Sequence, residues 1–99
     1  MARDIQEQIL SFGEMQEAHE VVTIAYAGVR LETSKLYTEE GTFPTDAYQQ
    51  VIVYLQQQAA EMNADGVKNI DVKIVTSHDS AGNEIMDFIG SGTIIRLKD

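Results

Sequence analysis

The sequence lacks cysteine and contains a single proline among its 99 residues. Without cysteine the chain has no disulfide framework, no thiolate metal site and no cysteine nucleophile. Its apolar runs are far too short to cross a bilayer, and its first residues lack the basic and apolar stretches of a secretory signal. We therefore expect a single cytoplasmic domain that spans residues 1–99.

Positive charge is also scarce, because seven Lys and Arg stand against 16 Asp and Glu, which gives a formal net charge of −9. An acidic domain with scattered basic residues repels the phosphates of nucleic acids and the surface of anionic membranes. We expect no nucleic-acid or membrane partner. The charge is compatible with cations or with a basic partner protein.

The first half of the chain predicts a strand followed by a helix. Residues 20–31 are dense in β-branched side chains and apolar on both faces, which is typical of a strand covered on both sides. Asp46, with Gln49 three residues later, indicates a capping box at the start of a helix. Apolar residues then recur at helical spacing, and the opposite helix face is rich in glutamine. We expect this helix to end at residues 63–66, with Gly66 in a left-handed turn.

The second half predicts a hairpin. Residues 67–77 alternate strictly, with Ile70, Val72, Ile74 and Thr76 expected to face inward. Residues 77–83 have the composition of a hairpin loop, and residues 84–97 form the returning strand. Within that strand, residues 90–92 (Gly-Ser-Gly) indicate a bend or a close backbone approach.

The front of the chain is open to three interpretations. Residues 1–18 are frayed, or they contain a short leading strand at residues 9–12, or they form a helix on which Ile5, Ile9 and Phe12 share one face.

These elements predict an α+β fold with β-α-β-β order, in which one long amphipathic helix packs on an antiparallel-rich sheet of three to four strands. A single helix covers only one face of such a sheet. Because the first and last long strands are apolar on both faces, the second face needs a cover, and another copy of the chain supplies it most simply. We therefore expect a homo-oligomer.

Several segments of the chain resemble the YbjQ-like family, which is also described as a heavy-metal-binding domain. The similarity is strongest at the corner between helix and strand and in the final strand. The segments that carry it are Ala59-Ala60-Glu61-Met62-Asn63-Ala64-Asp65-Gly66-Val67, Ile70-Asp71-Val72, Gly92-Thr93-Ile94-Ile95-Arg96-Leu97, residues 20–29 and residues 9–12. The chain departs from the family in residues 32–41 and at Asn63, where the family prefers glycine.

The resemblance implies a dodecin-like β-α-β-β subunit that assembles into a homo-oligomeric ring, commonly a pentamer. This expectation agrees with the burial argument, which rests on the residues alone. The family's description also implies metal binding, although its biochemical function is poorly defined.

Three groups of residues are candidates for binding. His78, Asp79 and Glu84 could fold around one metal ion in the hairpin loop, whereas a solvated polar loop needs no ligand and explains the same residues. Gln58 lies at the edge of the apolar arc of the helix and could donate a hydrogen bond across a subunit boundary, or extend into water. Glu39 and Glu40 could present a negative surface to a basic partner, or form an ordinary solvated face.

No set of residues has both the types and the spacing that catalysis requires. Asp71 and Asp87 could approach one another on neighbouring strands, but Lys73 beside Asp71 favours a surface ion pair. Residues 90–92 lie inside a strand and do not precede a helix, so they do not form a phosphate-binding loop. We therefore expect a non-enzymatic oligomeric binding domain whose partner is a protein, a peptide or a small ligand. The alternative is sequestration of a metal or small molecule between subunits, and the sequence identifies no cofactor.

Overall fold

The computed structural model describes residues 3–32 and 44–98 of the chain. A short 3-10 helix at Ile5–Glu7 is followed by β1 (Ile9–Leu10), β2 (His19–Glu32), α1 (Pro44–Glu61), β3 (Gly66–His78) and β4 (Glu84–Leu97). The four strands form one mixed sheet in the order β1-β3-β4-β2. β4 pairs antiparallel with both β2 and β3, and β1 pairs parallel with the start of β3. The predicted β-α-β-β fold is confirmed, and the leading segment contains a strand.

Helix α1 begins two residues before the predicted cap. Proline suits the first turn of a helix because its missing N–H would have no partner there. Asp46 therefore lies inside the first turn, and the capping-box prediction was wrong. An acidic residue in the first turn of a helix is favourable, because the free N–H groups there carry partial positive charge.

The corner after α1 also differs from the prediction. The left-handed residue is Asn63, with a φ of 55°, and it ends the helix as a glycine often does. Gly66 is the first residue of β3, and a Cβ atom there would overlap the carbonyl oxygen of Ile9. The glycine is required because β1 approaches β3 closely, so the left-handed turn predicted for Gly66 was wrong.

The core lies between α1 and one face of the sheet. Residues at successive turns of α1 are fully buried against the centres of β3 and β4, as the helical spacing predicts. The fully buried residues with the largest side chains are Phe88, Leu55, Ile94, Ile95, Val51 and Val67. All of these except Ile95 belong to the two clusters that α1 seals.

Two glycines of β4 allow this close packing. A Cβ atom on Gly90 would overlap Cγ1 of Val51 in the helix, and one on Gly92 would overlap Cγ1 of Val67. The prediction at residues 90–92 was a bend or the close approach of another backbone, and the groups that approach these two glycines most closely are side chains.

The alternation predicted for residues 67–77 is interrupted by a bulge. The pairing of β3 with β4 shifts between Lys68 and Asp71, and Asn69 takes a φ of 54°. As a result Val67 and Ile70 both belong to the cluster beneath the helix.

The far end of the β3–β4 hairpin extends past the helix. The molecule is 53 Å long, whereas an 18-residue helix spans only about 27 Å. Ile74 is 52% exposed for this reason, and Thr76 is exposed too. Their register with Phe88 and Met86 places both residues on the helix side of the sheet, as predicted, but the helix does not cover them.

Candidate interaction surface

The sheet face opposite α1, here called the open face, carries exposed apolar side chains. Strand alternation and register place Ile24, Tyr26, Val75 and Ile89 on this face. They are 58%, 66%, 49% and 46% exposed, respectively. These four residues, here called the open-face patch, lie on β2, β3 and β4. The apolar second face expected from the sequence is therefore present.

The charges on the open face balance one another. Arg30 donates two hydrogen bonds to Asp87, at 2.8 and 3.2 Å, and these bonds hold the pKa of Asp87 below its usual value. Lys73 Nζ lies 4.0 Å from Asp71 Oδ2. Two cations thus offset two anions here, and with Glu32, which its pairing with Ile85 also places on this face, the face is close to neutral although the whole chain carries a net charge of −9. A copy of the same chain meets less electrostatic repulsion at this face than the net charge implies.

Residues 11–18, here called the N-terminal strap, cross one end of the open face. They connect β1 and β2, which lie at opposite edges of the sheet. The Asn69 amide donates to the carbonyl oxygen of Gly13, and the Lys98 amide donates to that of Ala18. Lys68, on the open side of β3, forms an ion pair with Glu14. The strap therefore covers this end of the sheet, while the open-face patch stays exposed.

Ile95 shows that the open face is buried at the end that the N-terminal strap crosses. It follows Ile94, which faces the helix, so its side chain points to the open face, and yet it is fully buried. The strap end of the open face therefore needs no second chain to cover it. A second chain is expected to cover only the open-face patch.

The strap should respond to pH through Glu14. The hydrogen bond from Lys68, followed by that from the Met15 amide, holds the pKa of Glu14 below its usual value. A lowered carboxyl pKa stabilises the folded state above the unfolded pKa, and this contribution is lost as the pH falls through the folded pKa. We expect Glu14→Gln to speed hydrogen exchange at the Asn69 and Ile70 amides at neutral pH. The difference from wild type should shrink below the usual glutamate range.

Glu17→Gln is the matched control, because Glu17 is an exposed glutamate of the same strap and contacts His19 Nδ1 through its backbone carbonyl oxygen, which the substitution keeps. Its exchange should follow wild type at every pH. Equal exchange in Glu14→Gln and wild type at neutral pH would show that the ion pair does not hold the strap.

The outer face of α1 is a second uncovered surface. No charged residue lies between Asp46 and Glu61, whereas the outer face of a solvated helix is usually charged. Tyr48 and Tyr54 are each 37% exposed on this helix. An uncharged, glutamine-rich face is better suited to contact with protein than a charged one.

Gln58 does not extend into water. Its Nε2 donates to the carbonyl oxygen of Tyr26 at 2.7 Å, so in the single subunit this amide binds its own β2 strand. The predicted role of Gln58 at a subunit boundary stays a prediction.

The β3–β4 hairpin brings the three candidate metal ligands into one region. His78 and Glu84 face one another in register at the end of the hairpin. Asp79 Oδ1 accepts from the amides of Ala81 and Asn83, each at 2.9 Å. The Asn83 side chain donates to Oδ2 at 3.2 Å. These bonds, the Asn83 amide first, lower the pKa of Asp79 and give its carboxylate a structural role in the turn.

Within residues 3–32 and 44–98 no group of three or more His, Cys, Asp or Glu side chains is placed to hold a metal ion. The assignment of a metal to His78, Asp79 and Glu84 stays a prediction. Metal analysis of dialysed wild type and His78→Ala checks it.

The two glutamates predicted to attract a basic partner, Glu39 and Glu40, lie outside the described residues.

The two aspartates considered for acid–base chemistry are far apart. Asp71 pairs with Ser91, whereas Asp87 pairs with Val75, which places the two carboxylates about 13 Å apart along the strands.

Among the helices that the structure describes, none is long and apolar enough to span a membrane.

Comparison with known proteins identifies the fold. No family model and no curated protein matches the sequence. The crystal structure of a protein of unknown function from Pediococcus pentosaceus, a member of the DUF74 family, superposes with a TM-score of 0.78 at 11% identity. The match covers 92% of this chain and 98% of that one. DUF74 is the YbjQ-like family, and at this identity the similarity shows a shared fold.

Proposed function

We propose that this protein is a non-enzymatic domain that assembles with copies of itself into a ring and acts by binding a protein or small ligand on that assembly. The observation that carries the proposal is the open-face patch. Large apolar side chains that lie together on a monomer surface mark interaction sites. The balanced charges around the patch favour a second copy over a basic partner, which a net negative surface would attract.

Ring closure is supported by the presence of two different uncovered surfaces, the open-face patch and the outer face of α1. A contact that joins two unlike surfaces can repeat from one copy to the next. The copies form a closed ring when a whole number of these rotations makes a full turn. The resemblance to the YbjQ-like family favours a pentamer. The protein of the DUF74 family that shares this fold is of unknown function, so the ligand is left to experiment.

A second candidate function is sequestration of a metal or small molecule between subunits. It is favoured by the pairing of His78 with Glu84 at the end of the hairpin. In a ring, symmetry would repeat these side chains around the axis, so that several copies could supply ligands that one copy lacks.

Light scattering on size-fractionated protein tests the proposed assembly. We expect the wild type to elute at a single multiple of the subunit mass. Tyr26→Lys should weaken association at least tenfold, or about 1.4 kcal/mol, because it places a charge in the open-face patch.

Phe12→Lys is the matched control. Phe12 is an aromatic residue with similar exposure, 60% against 66% for Tyr26, but it lies outside the open-face patch. It should leave the mass unchanged. A wild type that stays monomeric at high concentration would refute the proposal, as would equal effects of the two substitutions.

A further inference from the structure

Within residues 3–32 and 44–98, the outer edge of β3 has no strand partner along residues 71–78. β1 pairs with β3 only at Gly66 and Val67, and Ser11 and Gly13 extend the contact to the Ile70 and Asn69 amides. Beyond Ile70, no described segment pairs with this edge. An exposed edge strand presents free N–H and C=O groups to which another strand can pair.

The backbone groups that point outward can be assigned. The Ile70 amide donates to Ser11 at 3.1 Å, on the side away from β4. Successive residues of a strand direct their N–H and C=O groups to opposite sides. Val72, Ile74, Thr76 and His78 therefore point both groups outward, while the residues between them bond to β4.

The other sheet edge differs at its centre. On β2 the carbonyl oxygen of Tyr26 already accepts a hydrogen bond from Gln58 of α1. A side chain that covers an edge strand hinders pairing there. The comparison makes the β3 edge the more accessible site for an added strand.

We propose that residues 72–78 of β3 pair with the same edge of a second copy, antiparallel and related by a two-fold axis at Val75. This register pairs the outward groups of all four residues in both copies, with roughly eight backbone hydrogen bonds. It places Val75 opposite its equivalent and Ile74 opposite Thr76. Val75, which is 49% exposed, thereby gains a cross-strand neighbour on the open face, and Ile74, which is 52% exposed, gains one on the helix side.

The charges on this edge identify a copy of the chain as its partner. Residues 71–78 contain one aspartate, one lysine and one histidine, so the edge is close to neutral in an acidic protein. In the proposed register Lys73 faces Ser77, so no two lysines oppose one another, and Asp71 lies beyond the paired residues, across from Asp79 of the turn. An axis at Lys73 would set two ammonium groups side by side, and an axis at Val72 would compete with Ser11 for Ile70.

Cysteine cross-linking tests the register without interference, because the described chain has no cysteine. Directly opposed residues that are not hydrogen bonded have Cα atoms about 4.5 Å apart, which is within the range of a disulfide. Val75→Cys should therefore form a covalent dimer at least tenfold faster than the exposed control Phe12→Cys. Lys73→Cys alone should match the control, whereas Lys73→Cys mixed with Ser77→Cys should cross-link rapidly.

Thr76→Pro supplies a variant directed at the edge alone. The Thr76 amide points away from β4, so proline removes an outward donor and leaves the hairpin bonds in place. In the Val75→Cys background it should lower cross-linking to the control rate.

Three outcomes would overturn the proposal. The first is that Val75→Cys cross-links no faster than Phe12→Cys. The second is that Thr76→Pro leaves the cross-linking rate of Val75→Cys unchanged. The third is that Val75→Cys cross-links to Tyr26→Cys in preference to a second Val75→Cys chain, which would show pairing with β2. The test distinguishes this contact from ring assembly, because Tyr26→Lys should weaken the ring and preserve the Val75→Cys dimer.

Discussion

Replacing Phe88 with alanine is expected to lower the free energy of unfolding by about 3–5 kcal/mol. Phe88 is 1% exposed and packs with Leu31, Ala47 and Val51, so it anchors the first half of α1 to the middle of the sheet. Truncation removes its buried surface and leaves a cavity that a rigid helix and sheet cannot fill. Since small domains have only about 5–15 kcal/mol of stability, a large part of it would be lost.

Urea unfolding followed by far-UV circular dichroism measures the effect. Tyr26→Ala is the control, because it removes an aromatic ring of similar size that is 66% exposed. It should change the stability of the dissociated subunit by no more than about 0.5 kcal/mol. Comparable losses in the two variants would show that Phe88 is not the anchor the packing indicates.

Adding a single methyl group at Gly90 should also destabilise the protein, by about 1–3 kcal/mol. The new Cβ of Gly90→Ala would overlap Val51 Cγ1 and lie 3.7 Å from Leu55 Cδ1. The helix must then move away from the sheet, which loosens the contacts of both side chains. Thermal unfolding of the variant should show a clear fall in midpoint.

Gly28→Ala is the matched control on the neighbouring strand. Its added Cβ would meet only the Phe88 carbonyl oxygen, at an ordinary 3.8 Å, so its midpoint should stay close to wild type. In a double-mutant cycle, Val51→Ala should offset part of the Gly90→Ala loss, since it removes the atom in the way. Strict additivity of the two substitutions would contradict the steric explanation.

The regular elements could be predicted because their patterns are periodic. The strand expected over residues 20–31 is His19–Glu32, and the final strand expected over residues 84–97 is Glu84–Leu97. Apolar alternation and helical spacing persist over many residues, so they outweigh local exceptions. The glycines at residues 90–92 were also informative, because nothing else in a strand explains two of them so close together.

The irregular positions could not be predicted, because they depend on distant contacts. The sequence around Gly66 is typical of a helix end. Only the structure shows that glycine is needed there because β1 approaches closely. The bulge at Asn69 lies in a run of alternating polar and apolar residues. The same run is equally compatible with a regular strand, so the sequence does not indicate a bulge. The Asn69 amide bonds to Gly13, which is far away in the sequence.

The candidate surface was predictable in outline only. The apolar second face followed from the composition of the strands, but the strap that covers one end of it did not. Glu14 and Lys68 are 54 residues apart, and no local pattern links them. Gln58 was identified from its place on the helix, whereas its partner, the Tyr26 carbonyl, is a backbone atom that no sequence pattern marks.

The position of β4 has a consequence for how the chain folds. Of the four described strands, the last along the sequence lies between β3 and β2, and its residue Leu97 is paired with His19 of β2. Until β4 emerges from the ribosome, β2 lacks the strand with which it pairs among the described residues, and the helix has only an incomplete layer beneath it. Assembly of the sheet must wait for the final segment, and such long-range pairing makes folding slow relative to helical proteins of this size.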